Sequence, residues 1–425
     1  MRLRSRWFAA GLALLMAPPA AAQTLHVHAG RLIDPATGTV RTDQRITITD
    51  GRVTAITAWA TPSGPVIDWS RYTVLPGLID MHTHIADGFG QDSDPAEPLR
   101  RSESTVAFKA VEAARQTLLA GFTSVRDVGV YRGLTDVALR DAINAGQVIG
   151  PRMVVAGAYI TTPGGGGAIT GAPAGTVIPP EFRLGEVRGP ENARARTRFL
   201  IEHGADVIKL IATGAVLAIG SEPGSLELTA AEMQAACDEA RRLGKYCIAH
   251  AHGAAGIRAA IGAGARSIEH ASLIDAQGIA MAKAAGVWLD MDIYDGDWID
   301  DVGTRDGWPA EYLRKNRETT EAQRQGFRRA VAAGVKLSYG TDAGVYPHGL
   351  NARQFAYMVR YGMTPLQALQ AATNVAADLL DKAGDVGSLT PGHFGDMIAV
   401  TGDPLRDVTV LEHVAGVIKG GVVVK

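Results

Sequence analysis

Short apolar runs alternate with longer helical patterns through most of this chain. Between about residue 75 and residue 385, eight strand-like runs recur: "TVLPGLIDMHTH", "TSVRDVG", "RMVVAGAYI", "ADVIKLIATG", "YCIAHAHG", "RSIEHAS", "VWLDMDIY" and "VKLSYGTDAG". Helical patterns such as "VAFKAVEAARQTLLAGF" stand between most of them. Continuous apolar runs joined by crossover helices predict parallel strands buried on both faces. Eight such units predict a (β/α)8 TIM barrel over 75–385, a fold whose sites lie at the C-terminal strand ends. A doubly wound open sheet is the competing architecture, but no G-x-G-x-x-G turn opens a helix after a first strand.

The flanks have a different period. Residues 23–74 ("LHVHAGRLIDPATGTV", "QRITITDGRVTAI") and 386–425 ("VGSLTPGHFGDMIAVTGDPL", "VAGVIKGGVVVK") are short alternating runs with D-G and T-G turns. That is the pattern of antiparallel strands, and it predicts one small β-sandwich built from both termini. "PGGGGAITGAPAG" is expected to be a flexible loop after the third barrel strand. The first 22 residues stand apart: a basic start (Arg2, Arg4, Arg6), an apolar stretch and a small-residue end at Ala20–Ala22. These are the marks of a secretory signal peptide, so a periplasmic or secreted protein is expected, with no membrane span left after its removal.

Composition narrows the function classes. Net charge is −2 and 20% of residues are charged, with no long run of either sign, which gives no electrostatic case for nucleic acid or an anionic membrane. The fifty glycines suit a fold of many tight turns. A homo-oligomer acting on a small molecule is the expected assembly. Cys237 lies in a helical pattern and Cys247 in the following strand, an arrangement that predicts two buried free thiols rather than a bridge.

Candidate chemistry begins at "MHTH". Residues i and i+2 of a strand face the same way, so His82 and His84 converge at the end of an apolar run. Metal ligation and a pair of hydrogen-bonded core histidines both explain that. His250, His252 and His270 also fall at predicted strand ends, and Asp342 follows the eighth strand. On a barrel these ends share one rim, and four imidazoles with a carboxylate suit zinc or a similar divalent ion. Lys209, inside the fourth strand, would have to bury a charge. Pairing with an acid would relieve it, and so would conversion to a carbamate that bridges two metals. His26 and His28 repeat the His-x-His spacing in the terminal sheet without further ligands, and a surface position is expected. His203, His393 and His413 read as solvated or capping residues.

Taken in order, "GLIDMHTH", "ADVIKLIATG", "CIAHAHG", "SIEHAS" and "LSYGTDAG" resemble the amidohydrolase superfamily across nearly the whole mature chain. The resemblance is to its imidazolonepropionase-like branch, with Xaa-Pro-dipeptidase-like and ochratoxin-hydrolysing members the most similar. It implies two divalent ions, zinc being the expected metal. His82, His84 and Asp342 would hold the more buried ion and His250 and His270 the more exposed one, with carboxylated Lys209 and a hydroxide bridging them. Spacing alone does not separate His250 from His252; the resemblance assigns His250 to the metal and His252 to the substrate side. Relatives with a histidine after the paired glycines of the third-strand loop differ from this chain, which has Gly166 there.

The implied reaction is hydrolysis of a small amide or peptide, such as a dipeptide or an N-acyl amino acid. Asp342 would move the proton and Tyr294, at the end of the seventh strand, would donate to the tetrahedral oxygen. Tyr131, Arg132, His252 and His348 are the candidate contacts to a substrate carboxylate. A hydrolase of cyclic amides or lactones and a mononuclear deaminase are the rivals within the superfamily. A non-catalytic barrel used for binding or assembly is the rival from another class.

Overall fold

The computed structural model describes residues 24–87 and 94–425. The expected signal peptide lies outside the described residues. Among the described residues four strands come first: β1 (Thr24–Asp34), β2 (Thr39–Thr49), β3 (Arg52–Ala58) and β4 (Val66–Pro76). Nine follow through the middle: β5 (Leu78–Thr83), β6 (Phe122–Asp127), β7 (Arg152–Val155), β8 (Tyr159–Ile160), β9 (Ile208–Ile211), β10 (Cys247–Ala251), β11 (Ser267–His270), β12 (Trp288–Asp290) and β13 (Leu337–Ser338). Three close the chain: β14 (Met397–Val400), β15 (Val414–Lys419) and β16 (Val422–Val423).

The terminal strands join as expected, with one correction. They form a single seven-stranded sheet in the order β16-β15-β14-β4-β1-β2-β3, not two separate sheets. Every pair is antiparallel except β1–β4, which runs parallel. Alternate residues such as Val27, Ile46, Ile48, Val74, Met397 and Ile418 meet in one apolar core, so the sheet curls around its own buried face. The D-G signal is a tight hairpin: Asp50 and Gly51, both at positive φ (49° and 79°), connect β2 to β3. His26 and His28 depart from expectation. His26 is buried with Nδ1 3.2 Å from Thr47 Oγ1. His28 stacks on Trp59 at 3.7 Å and sets Nε2 2.7 Å from Asp43.

The middle strands are all parallel, in a three-stranded sheet β5-β6-β7 and a six-stranded sheet β8 to β13. "RMVVAGAYI" is therefore split: β7 ends one sheet and β8 begins the other, with Gly157 at φ 77° between them. Asp136 fills this break by accepting from the amides of Ala156 (3.1 Å) and Gly157 (2.8 Å). At the other seam, Met81 N donates to Tyr339 O and Asp342 N to His82 O, both at 2.8 Å. These bonds bring the β13 end of the ring back beside β5, in keeping with the expected barrel order.

Helices Glu103–Leu119, Thr135–Asn144, Pro190–Glu202, Ala230–Arg242, Ala254–Gly262 and Ala276–Ala285 stand between successive strands. The cysteine expectation fails here, because Cys237 and Cys247 form a disulfide with Cα atoms 5.3 Å apart. Only four residues turn the chain from Arg242 back into β10, so the helix lies antiparallel on its own strand. Its buried mid-point then faces the first strand residue. None of the described helices is long and apolar enough to cross a membrane.

Candidate metal centre

The strand ends do converge. His82, His84, Lys209, His250, His252, His270 and Asp342 all line one cavity, and each is at most 8% exposed. Three non-glycine residues at this rim hold left-handed backbone: His270 (φ 66°), Ala271 (50°) and Asp342 (56°). Such conformations cost about 1–3 kcal/mol each and persist where surrounding structure enforces them. Here they turn the β11 and β13 ends so that His270 and Asp342 face the cavity.

Distances within the cluster are short. Asp342 Oδ1 lies 3.1 Å from His84 Nε2 and 3.3 Å from His82 Nε2, and Lys209 Nζ lies 3.4 Å from His82 Nε2. Ligand atoms of His82, His270 and Asp342 fall within 4.8 Å of one another, as do those of His250, His252 and His270. His250 and His252 thus stand together, with ring centroids 4.6 Å apart.

A layer of acceptors orients the rings. His84 Nδ1 lies 3.0 Å from the Gly129 carbonyl, which can only accept, so Nδ1 donates and Nε2 is left for Asp342. His270 Nδ1 faces Asp292 at 2.8 Å, and Asp292 also accepts from Gln323. His82 Nδ1 is 3.3 Å from Glu269, which the fully buried Arg126 holds at 3.0 Å while also reaching Asp290. Carboxylate or carbonyl partners on the far nitrogen are the usual means of fixing a ligating imidazole.

Burial sets the protonation. It drives His82, His250 and His252 well below the ordinary imidazole value, helped by Lys209 at His82 and by His270 at the other two. Burial opposes protonation of His84 as well, but the hydrogen bond and charge of Asp342 outweigh it and raise that group. Burial also lowers Lys209 to about 8, against the pull of Glu269 and Asp342. Three imidazoles held neutral by burial, a carboxylate and a readily neutralised amine form a donor set suited to divalent transition ions.

The other expected contacts divide. Tyr131 lines the cavity, but Arg132, Tyr294 and His348 do not. Arg132 is drawn outward to Glu181 (2.8 Å) and Glu103 (3.4 Å). Tyr294 presents its hydroxyl to Arg353 at 2.8 Å, and His348 is buried with Nδ1 3.3 Å from Thr117 Oγ1. The glycine loop is more fixed than expected: Gly166 and Gly167 line the cavity, and Gly166 N donates to Glu227 at 2.8 Å. A Cβ at Gly166 would meet that of Ala215 at 2.9 Å, so the position is closely packed.

Several contributors escaped the sequence reading. Tyr159 opens β8, at the end of "RMVVAGAYI", and sets its hydroxyl 3.0 Å from His84 Nδ1 and 3.1 Å from Asp87. Glu269 and Asp290 are acids inside apolar strands and Asp292 is a buried acid just past β12, the same burial problem that marked Lys209. Asp295 reaches the cavity wall from the helix Asp295–Asp306.

Comparison with known proteins adds an independent line. Residues 73–424 match the amidohydrolase family model. The chain is 31% identical over 365 residues to ochratoxinase from Aspergillus niger, covering 82% of this chain and 75% of that protein. Among solved structures, a Xaa-Pro dipeptidase with bound methionine in its active site is 35% identical, with a TM-score of 0.87 over 94% of this chain and 99% of the other. A prolidase complexed with N-methylphosphonate-L-proline is 27% identical, with a TM-score of 0.87 over 95% and 100%.

Proposed function

Because the chain belongs to the amidohydrolase family, we propose that it is a two-metal hydrolase cleaving an amide or peptide bond of a small substrate, such as a dipeptide or an N-acyl amino acid. One observation carries the two-metal reading. Lys209 shares the buried cavity with two ligand trios, His82–His270–Asp342 and His250–His252–His270. A carboxylated lysine there would serve both, and seven donors exceed what one ion needs. In this reading His82, His84 and Asp342 would hold one ion, His250 and His270 would hold the other, and carboxylated Lys209 would be available to both. When bound, such ions supply Lewis acidity to a water and to the scissile carbonyl.

The chain's own groups do the rest. Asp342, against both His82 and His84, is placed to accept a proton from the attacking water and deliver it to the leaving nitrogen. His252 and Tyr131 remain as orienting contacts inside the cavity, whereas the outward ion pairs of Arg132 leave it a supporting role in the rim. The names of the relatives, an ochratoxinase and a Xaa-Pro dipeptidase, favour amide over ester chemistry.

The decisive experiment pairs metal analysis with a substrate panel. Close to two divalent ions per chain and turnover of dipeptides or N-acyl amino acids are expected. An active preparation holding one ion would overturn the two-metal model, and turnover confined to lactones would overturn the amide assignment. We further propose export by the N-terminal segment. A disulfide such as Cys237–Cys247 is at home in an oxidising compartment, and a mature chain beginning at Gln23 is the expected readout.

A further inference from the structure

Lys315 is fully buried, yet it belongs to neither ligand trio. It sits in the first turns of the long helix Ala310–Ala333 and aims its ammonium at the connection that follows β9. There it donates to the carbonyls of Ala218 and Ser221, the latter at 2.7 Å, and to Glu311 Oε1 at 3.0 Å. Glu311 in turn accepts from Gly220 N at 2.9 Å, and Arg314 reaches Glu222 at 2.6 Å. One helix end therefore grips this connection at four points, Ala218, Gly220, Ser221 and Glu222, with Ile219 tied separately to Thr170.

The same connection forms a wall of the cavity. Ala215, Val216 and Leu217 line it, and Val216 and Leu217 pack with Ile299 and Val345 in one apolar cluster. From the inner side, Ser221 Oγ bonds Ala215 N (3.0 Å) and Glu227 (2.7 Å), and Glu227 holds Gly166, which packs against Ala215. An ammonium withdrawn from water is costly unless its donors are matched by well-placed acceptors. An exposed lysine would hold a surface loop weakly, whereas this one makes the loop's position depend on its bonds.

We propose that Lys315 is a positioning residue for substrate selection: it clamps residues 214–222 so that Val216 and Leu217 form a fixed apolar wall beside the metal centre. Resting on the amide-hydrolase reading above, this assigns the distal part of the substrate as an aliphatic or aromatic group. An ordered apolar wall favours such groups over hydrogen or a charge, and a loosened one does not.

The test compares the wild-type metal-loaded protein with Lys315→Met, which preserves length and apolar stem but removes every donor. Amide hydrogen exchange in peptides covering 214–225 is expected to quicken by about tenfold or more, while β9 itself is unchanged. With leucyl and glycyl members of one amide series, KM for the leucyl substrate is expected to rise about tenfold. The glycyl KM, kcat on both and the metal content should hold. Glu311→Gln, a milder cut of the same clamp, should move exchange and the leucyl KM in the same direction and guards against a folding failure. Unchanged exchange in both variants, or equal loss on leucyl and glycyl substrates, overturns the proposal. Exchange is read without substrate, so quickened exchange in a protein that cleaves no amide would sink the functional reading and leave the clamp in place.

Discussion

Lys209 concentrates the chemistry of the site in one side chain. Its amine is buried on β9, 3.4 Å from an imidazole, and burial has already lowered it to about 8. An amine that loses its proton easily can take up carbon dioxide, and the resulting anion answers the positive charge of bound metal. Lys209→Ala is therefore expected to lower activity by about a thousandfold or more and to reduce bound metal below one ion per chain. Lys209→Glu should restore part of the metal content. Full turnover by the alanine variant with two ions bound would reduce the residue to an ordinary buried lysine. The surrounding acids show why a lysine is tolerated there at all: Glu269 and Asp290 are fully buried, and with Arg126 they spread charge beneath the site.

Elements differ in how openly their sequence declared them. The His-x-His strand was legible because a period of two puts both rings on one face, whatever the tertiary setting. "SIEHAS" and "LDMDIYD" carried the same kind of signal for Glu269, Asp290 and Asp292, since a buried acid needs a partner as much as a buried lysine does. Arg132, Tyr294 and His348 were illegible for the opposite reason. Loop side chains take their direction from neighbours distant in sequence, here Glu181, Arg353 and Thr117. The cysteine pair likewise depended on a helix lying back along its own strand. That bridge closes a short loop, so its removal by Cys237→Ala with Cys247→Ala should cost about 2–3 kcal/mol, read as a lower urea midpoint. An unchanged midpoint would mean the two elements are held by packing alone.

The same helix carries Glu239, whose carboxylate meets Arg242 at 2.6 Å and Arg198 of the preceding helix at 2.7 Å. Hydrogen bonds from Arg242, and then Arg198, lower it to about 2 from an ordinary 4.5. Between those values the unfolded chain binds the proton and the folded chain does not, so this contribution is present above pH 4.5 and lost as pH falls toward 2. Glu239→Gln should flatten the fall of the urea midpoint across that acid window. An identical fall in both proteins would refute the assignment.

At the scale of the whole molecule, the proposed metal and the fold would be linked, because the candidate ligands from β5, β9, β10, β11 and the segment after β13 line one cavity. Any ion held there favours the folded state by mass action. Chelation is therefore expected to abolish activity and lower the melting temperature together, with both restored by added zinc. A melting temperature indifferent to chelation would show that the ring holds itself. The terminal sheet has a different consequence, one of timing. Thr73–Pro76 of β4 pairs with Met397–Val400 of β14, so a strand made early waits for one made near the end. During synthesis the β4 edge stays open, and its apolar residues Val74 and Leu75 offer a template to any other unfinished chain. A chain stopped at Val386 should accordingly sediment as aggregate even though every candidate metal ligand is already in it. The residues after Val386 would then act less as an appendage than as the stopper that makes the newborn protein safe to leave alone.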